Sequence, residues 1–215
     1  MTKKLIIFLI LVGTFCYCKN HTSDTNFRLK NGDLIFQVSE ESDFTKAIHN
    51  STGNNRNLSF SHVGIIYLHN DSIFVIDAVP GDGVRKIRLD DFLNESSKSK
   101  EGNPLVCIYR YKDIEAAKDA VQNAIKYIGY NYDSVFLQNN NAFYCSELVY
   151  ECFVKDDKHL FETVPMNFKD KAGNFDPFWI EYYRKLDVPI PQDCSGTNPN
   201  QLSEDKNLYE VFRYF

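Results

Sequence analysis

Cys145 stands in FYCSELVYECF, residues 143–153, directly after the polar run Gln138, Asn139, Asn140 and Asn141. Leu148, Val149, Cys152 and Phe153 recur behind it at helical spacing, which predicts an amphipathic helix with the cysteine in its first turn. A thiol in that position is either a small buried hydrophobe or a nucleophile, and what separates the two is a base within hydrogen-bond reach. Of the five histidines, His21 lies in a polar N-terminal stretch, His49 and His69 in segments that read as polar loops, and His159 in the charged run KDDKHL. His62 alone falls inside a strand signal, SHVGIIYL. A histidine at a strand start is more often structural than catalytic, so the neighbouring strand has to decide its reading.

That neighbour is SIFVIDAV, joined to the first strand through His69, Asn70, Asp71 and Ser72. A two-residue turn at Asn70 and Asp71 pairs 69 with 72, 66 with 75 and 64 with 77. Directly opposed residues share a face, so His62, Gly64, Ile66, Val75 and Asp77 point the same way. Asp77 is then diagonal to His62, a backbone span of roughly 7–8 Å that the two side chains can close. Gly64 leaves room between them. A carboxylate there fixes the ring tautomer and stabilises an imidazolium, the third part of a nucleophile site. A loop of odd length would flip one strand and dissolve the constellation. Proximity of Cys145 to His62, far apart in the chain, follows from no spacing rule. A helix N-terminus aimed at the sheet would favour a thiolate, as would an adjacent imidazolium. From the residues alone, an inert buried thiol and a reactive one stand level.

The elements around these groups read as an α+β domain. LKNGDLIFQV gives a turn at Asn31 and Gly32 followed by a strand; TKAIHNSTGNNRNLSF reads as a polar loop with at most a short helix. Gly81, Asp82 and Gly83 turn into VRKIRL, a short helix and solvated loop follow in DDFLNESSKSKEGN, and PLVCIYRY is a further strand. From Asp113 the period changes, with Ile114, Ala117, Val121, Ala124, Ile125 and Ile128 on one helical face, Asp113 as N-cap and Gly129 as the stop. NFDPFWIEYYRKLDVPIP is an aromatic, Pro-punctuated wrap or lid, and LYEVFRYF a closing strand.

At 215 residues, 43% of them hydrophobic, the chain is long enough for one sizeable core. A net charge of -5 with no cluster of Lys and Arg argues against nucleic acid as a partner. Lys3 and Lys4 precede an apolar stretch, Leu5 to Phe15, too short to span a membrane and suited to a signal peptide. Cys16 and Cys18 follow it. The expected organisation is a signal peptide over 1–17, a flexible tether over 18–28, and a single domain over 29–215 with an aromatic C-terminal extension. Among the other cysteines, Cys145 and Cys152 on one helix are separated by roughly 10 Å of rise, too far for a disulfide. Cys107 reads as a buried strand residue, and Cys194 lies in a loop. No Cys/His spacing of the zinc kind is present, so neither metal nor cofactor is expected.

NGDLIF, SHVGII, FVIDAVPGDGVRKIRLDDFL, YIGYNYD and FYCSELVYECF, in this order, resemble the YiiX/YaeF-type permuted papain-like amidases (C92-like) of the NlpC/P60 superfamily. The resemblance runs from about Leu29 to Phe153. It implies a permuted papain-like fold, an antiparallel sheet or partial barrel packed against helices that include the cysteine-bearing one, with the cysteine helix after the histidine strand. It further implies Cys145 as nucleophile, His62 as general base and acid, and Asp77, where the family usually carries a glutamate, as the group orienting His62. Tyr144 and the backbone amide of Cys145 become candidates for the oxyanion site, and Asp33, Tyr132 and Asp133 for cleft or supporting positions. The N-terminus resembles a bacterial lipoprotein signal with Cys18, or alternatively Cys16, as the lipid anchor. The implied function is a cell-envelope thiol hydrolase acting on peptidoglycan-derived peptides or other small amides, anchored to the membrane or else periplasmic. Two alternatives stay open: an acyltransferase or lipid hydrolase of the lecithin retinol acyltransferase type, whose motif has Asn-Cys where this chain has Tyr144-Cys145, and a non-catalytic binder of small ligands.

Overall fold

A computed structural model describes residues 27–52 and 58–215. The signal peptide, the tether, Cys16, Cys18 and His21 lie outside the described residues. In chain order the elements are β1 (Leu34–Gln37), α1 (Asp43–Thr52), β2 (His62–His69), β3 (Ser72–Val79), β4 (Gly83–Arg88), α2 (Leu89–Asn94), β5 (Val106–Tyr111) and α3 (Ile114–Tyr127). They continue with β6 (Asn131–Tyr132), β7 (Ala142–Phe143), α4 (Cys145–Cys152), β8 (Val154–Lys155), β9 (Lys158–His159), β10 (Val164–Pro165), α5 (Pro177–Leu186), β11 (Ser195–Gly196), α6 (Pro199–Ser203) and β12 (Leu208–Arg213). Six strands form one antiparallel sheet in the order β12-β5-β1-β2-β3-β4.

The β2–β3 hairpin turns on Asn70 and Asp71, both at positive φ (46° and 57°), the backbone of a two-residue turn whose twist matches the flanking strands. Asp113 caps α3 by accepting from the Ala116 amide at 3.1 Å, which satisfies one of the helix's orphan donors. Strand alternation divides the sheet's contacts in two. Leu34, Phe36, Val63, Ile65, Ile76 and Ala78 pack against α3 and α4, where Ala120, Ala124, Leu148, Val149 and Cys152 meet them. Ile35, Ile66, Val75 and Ile108 pack against Leu89 and Phe92 of α2. Leu148, Val149 and Phe153 are wholly buried, and burial of each such side chain stabilises by about 1.5–3 kcal/mol. The cysteine helix is thereby fixed to β2 and β3 along its length.

Two segments differ from expectation. The Asn-rich stretch, read as a loop with at most a short helix, supplies most of a ten-residue helix, α1, which begins before it at Asp43 and carries His49. Ser42 starts this helix with reciprocal bonds to Thr45, its amide donating to Thr45 Oγ1 at 2.8 Å and its Oγ accepting from the Thr45 amide at 3.1 Å. The aromatic wrap is the helix α5, which packs with α1 into a third cluster of Ala47, Phe136, Tyr144, Met166, Phe168, Trp179 and Tyr183. LYEVFRYF closes the sheet as an edge strand on β5, as its pattern predicts. Cys107, Cys145, Cys152 and Cys194 are all free thiols.

Gly32 ties the sheet to α3. Its φ is +81°, its amide donates to Ile66 O at 3.0 Å, and a Cβ would stand 2.1 Å from the Ala117 carbonyl oxygen. Both the left-handed backbone and the contact exclude a side chain. Gly32→Ala should therefore cost about 2–4 kcal/mol, read as a lowered urea midpoint at unchanged slope.

Candidate active site

His62 opens β2, opposite Gln37 of β1. The β2–β3 ladder pairs Ile66 with Val75 and His69 with Ser72, the register expected from the turn, so His62 and Asp77 share a face. Their side chains meet, with Nε2 2.8 Å from Asp77 Oδ2; the shorter aspartate spans the diagonal. Gly64 makes this possible: a Cβ on it would come within 2.4 Å of Val75 Cγ1 and 3.3 Å of Asp77 Cβ. The imidazole rests against the Phe92 ring, centroids 5.7 Å apart at 28°.

Cys145 is the first residue of α4, and its sulfur and His62 border the same cavity. With Nε2 engaged by Asp77, Nδ1 is the ring nitrogen left for the sulfur. Burial works to depress the His62 pKa, but the charge of a Cys145 thiolate, followed by hydrogen bonds to Asp77 and Cys145, outweighs it and pushes His62 up to about 10. At Asp77, burial works upward and is overcome by the bonds from His62 and then Arg85, which hold the carboxyl below its usual range. Glu147, in the first turn of α4, accepts from the Tyr144 amide at 3.3 Å. Burial, and then the charge of Asp133, push its pKa up to about 9.

The cavity measures about 290 Å³. Polar groups border it on the side of the sheet, among them Gln37, Ser39, Ser61 and His62, while Phe44, Ile48, Phe136, Met166, Phe168 and Trp179 form an apolar wall supplied by α1, α5 and the intervening loops. Tyr132 lines the cavity; burial, then the Cys145 charge, raise its pKa well above the ordinary phenol value. Tyr144 also borders the cavity, but its hydroxyl accepts from the Thr197 amide at 3.0 Å and so is turned to a loop.

Asp33 is not brought to the cleft. It precedes β1 at the end remote from Gln37, where Arg110 binds both its oxygens at 2.7 Å and the Lys30 amide donates to it at 2.8 Å. Its role is to hold the turn before β1 to β5. Asp133 likewise supports a loop, accepting from the amides of Val135 and Leu137. Three residues at the site escaped sequence reasoning: Arg85, directly opposite Asp77 on β4; Glu95, which binds Arg85; and Gln37. The turn read at Gly81–Gly83 would set 77 against 87; the turn lies instead at Pro80–Asp82, which pairs Val79 with Gly83 and so brings Arg85 opposite Asp77.

Residues 28–212 match the model of the Peptidase_C92 family, permuted papain-like amidase enzymes of the YaeF/YiiX type. The chain belongs to this family. The amidase family accounts for the order of parts in the sheet, histidine strand first and cysteine helix after it. Over 156 residues, 71% of this chain and 67% of the relative, the C92 chain is 26% identical to the uncharacterized protein YiiX of Escherichia coli strain K12. It shares its fold with a crystal structure described as the metalloprotein yiiX of Escherichia coli O157:H7, with a TM-score of 0.70, 24% identity, and coverage of 87% of this chain and 98% of that one. Among the described residues of this C92 protein, no three His, Cys, Asp or Glu side chains are grouped to hold a metal ion.

The pKa of His62 gives a signed expectation. Its folded value of about 10 lies above the ordinary 6.5, so the imidazolium's contribution to stability is complete below about pH 6.5 and is lost as pH rises toward 10. In urea unfolding, the native protein's margin over His62→Gln should shrink across that window. Cys145→Ala removes the strongest raising influence, and NMR titration should then find the His62 ring titrating lower by at least about one unit.

Proposed function

We propose that this protein is a thiol hydrolase of amides in which Cys145 is the nucleophile, His62 the general base and acid, and Asp77 the residue that orients His62. The observation that carries the reading is the meeting of a helix-start cysteine with a buried His–Asp pair at the wall of a cavity. The sulfur, as a thiolate beside the His62 imidazolium, attacks the amide carbonyl. The N-terminal amide of α4 at Cys145 donates to the oxyanion, where fixed donors in a dry site act strongly. Tyr132 is the better placed phenol to assist, because the Tyr144 hydroxyl already serves Thr197. His62 gives its proton to the leaving amine, then draws one from water as the thioester is hydrolysed. Asp77 stays ionised and keeps Nε2 protonated throughout.

The apolar wall favours substrates whose acyl side, or adjoining side chain, is hydrophobic. Peptidoglycan fragments, rich in polar groups, fit that wall less well than N-acyl amides do. The same feature supports the second reading, an acyltransferase or lipid hydrolase, in which an alcohol or amine in place of water takes the acyl group. Export and membrane anchoring through Cys18 belong to the proposal on the strength of the N-terminal sequence.

Iodoacetamide at neutral pH should label Cys145 far faster than Cys107 or Cys152, whose thiols burial pushes up, Cys107 to about 12. Purified protein incubated with N-acyl amides of graded chain length, acyl esters and muropeptides should release product, read by mass, with the hydrophobic amides preferred. Cys145→Ala should abolish turnover, and Asp77→Asn should lower it by about a hundredfold or more. Equal slow labelling of all three buried thiols, with no turnover, would leave the protein a binder.

A further inference from the structure

Arg85 reaches the site from β4, and nothing in the triad chemistry calls for it. It is the direct cross-strand partner of Asp77, so the two side chains rise from the same face. Its guanidinium closes a fork on the Asp77 carboxylate, Nε to Oδ1 at 3.0 Å and a terminal nitrogen to Oδ2 at 3.2 Å. Oδ2 is also the oxygen that holds His62 Nε2 at 2.8 Å. The nitrogen that meets Oδ2 binds Glu95 at 2.6 Å, and the other terminal nitrogen reaches Asp82 at 3.4 Å. Asp77 has no solvent exposure at all, whereas the Glu95 side chain is 44% exposed and borders the cavity. Glu95, Arg85, Asp77 and His62 thus form a row of alternating charge that runs from the cavity rim toward Cys145.

We propose that Arg85, held between Glu95 and Asp77, is a positioning residue that aims Asp77 Oδ2 at His62 and sets the electrostatic potential in which the Cys145–His62 pair works. The inference rests on the assignment of Cys145 and His62 as nucleophile and base. Two features separate it from an ordinary surface ion pair. The bidentate fork fixes the plane of the carboxylate as a lysine's point charge does not, and the plane decides whether Oδ2 lies on the Nε2–H line. The pair is also enclosed, where charges act on their neighbours with little screening. The other charged and titratable groups facing this row are Glu40 before α1, Asp82 from the β3–β4 turn, Tyr132 from β6 and Cys145 from α4. Removing the cation should make an anionic sulfur harder to form; removing the Glu95 charge, which opposes that cation, should make it easier.

The test follows the alkylation rate of Cys145 against pH, by mass spectrometry of its peptide, in the native protein, Arg85→Met, Arg85→Lys and Glu95→Gln. Arg85→Met should move the acid limb of the profile to higher pH and slow labelling at pH 6 by about fivefold or more. Glu95→Gln, a substitution at a partly exposed side chain, should move the limb to lower pH. Arg85→Lys should return the limb toward its native position, because the charge is restored, while activity stays below native for want of the fork. Native limbs in both Arg85→Met and Glu95→Gln, or a uniform fall at every pH, would reduce Arg85 to a structural ion pair and overturn the inference while leaving the nucleophile reading intact. Failure of the native protein to label selectively at Cys145 overturns both.

Discussion

A carboxylate without solvent exposure is the constraint on which this site depends. Leaving Asp77 ionised inside the protein costs several kcal/mol unless its oxygens are matched, and both are: Arg85 takes Oδ1 and shares Oδ2 with His62. The arrangement binds three adjacent strands, β2, β3 and β4, through a single side chain. It also favours the imidazolium form of His62, because the positive ring is attracted to the carboxylate, while the neutral ring protonated at Nε2 keeps only the hydrogen bond. Cys145, at the head of α4, borders the same cavity as this ring. The bonds around Asp77 form one network, so a change at any one of them is felt by the others.

Strand parity is what delivers these groups to one place. A one-residue slip between β2 and β3 would turn Asp77 toward α3 and α4 and bring Ile76 to His62. The slip is resisted twice, by the Asn70–Asp71 turn and by opposite hydrophobic sets, Val63, Ile65, Ile76 and Ala78 on one face, Ile66 and Val75 on the other. Gly64 contributes differently, by omitting a side chain where Val75 and Asp77 come close. The cysteine arrives by packing rather than pairing. Leu148, Val149 and Cys152 seat α4 across the sheet, and the helix start projects Cys145 to the end of β2 where His62 begins.

What could be read in the sequence follows from which of these devices are local. The His62–Asp77 pair was legible because one hairpin encodes it, and the Asp113 cap and the Leu148 stripe because each lies within a few residues of the helix it marks. In the sequence Asp33 stands between a cleft and a supporting role, because a motif position carries no information about which end of a strand it occupies; the partner that fixes its supporting role, Arg110, is 77 residues away. The helix α1 was hidden by Asn, Ser and Thr, residues that favour caps and turns. Its Phe44, Ala47 and Ile48 have helical spacing all the same, and burial against Trp179 and its neighbours outweighs the weak local propensity. The meeting of Cys145 with His62 was beyond spacing rules altogether, since it depends on how two separately formed units dock.

The same division explains how a permuted chain order keeps the arrangement of these groups. None of the contacts that define the site requires Cys145 to precede or follow His62; they require α4 to lie across β2 and β3, and β2, β3 and β4 to be adjacent. The connections between cysteine helix and histidine strand are therefore free to change, and here the long route from β5 through α3 to α4 supplies one. The cavity shows where that freedom is spent. Its sheet-side wall comes from the strands that hold His62, whereas its apolar wall comes from α1, α5 and the loops at Phe136 and Phe168. Changes in those segments would leave the Asp77 row untouched while altering the wall that faces it, so the His62–Asp77–Arg85 network and the apolar lining of the cavity come from physically separate parts of the fold.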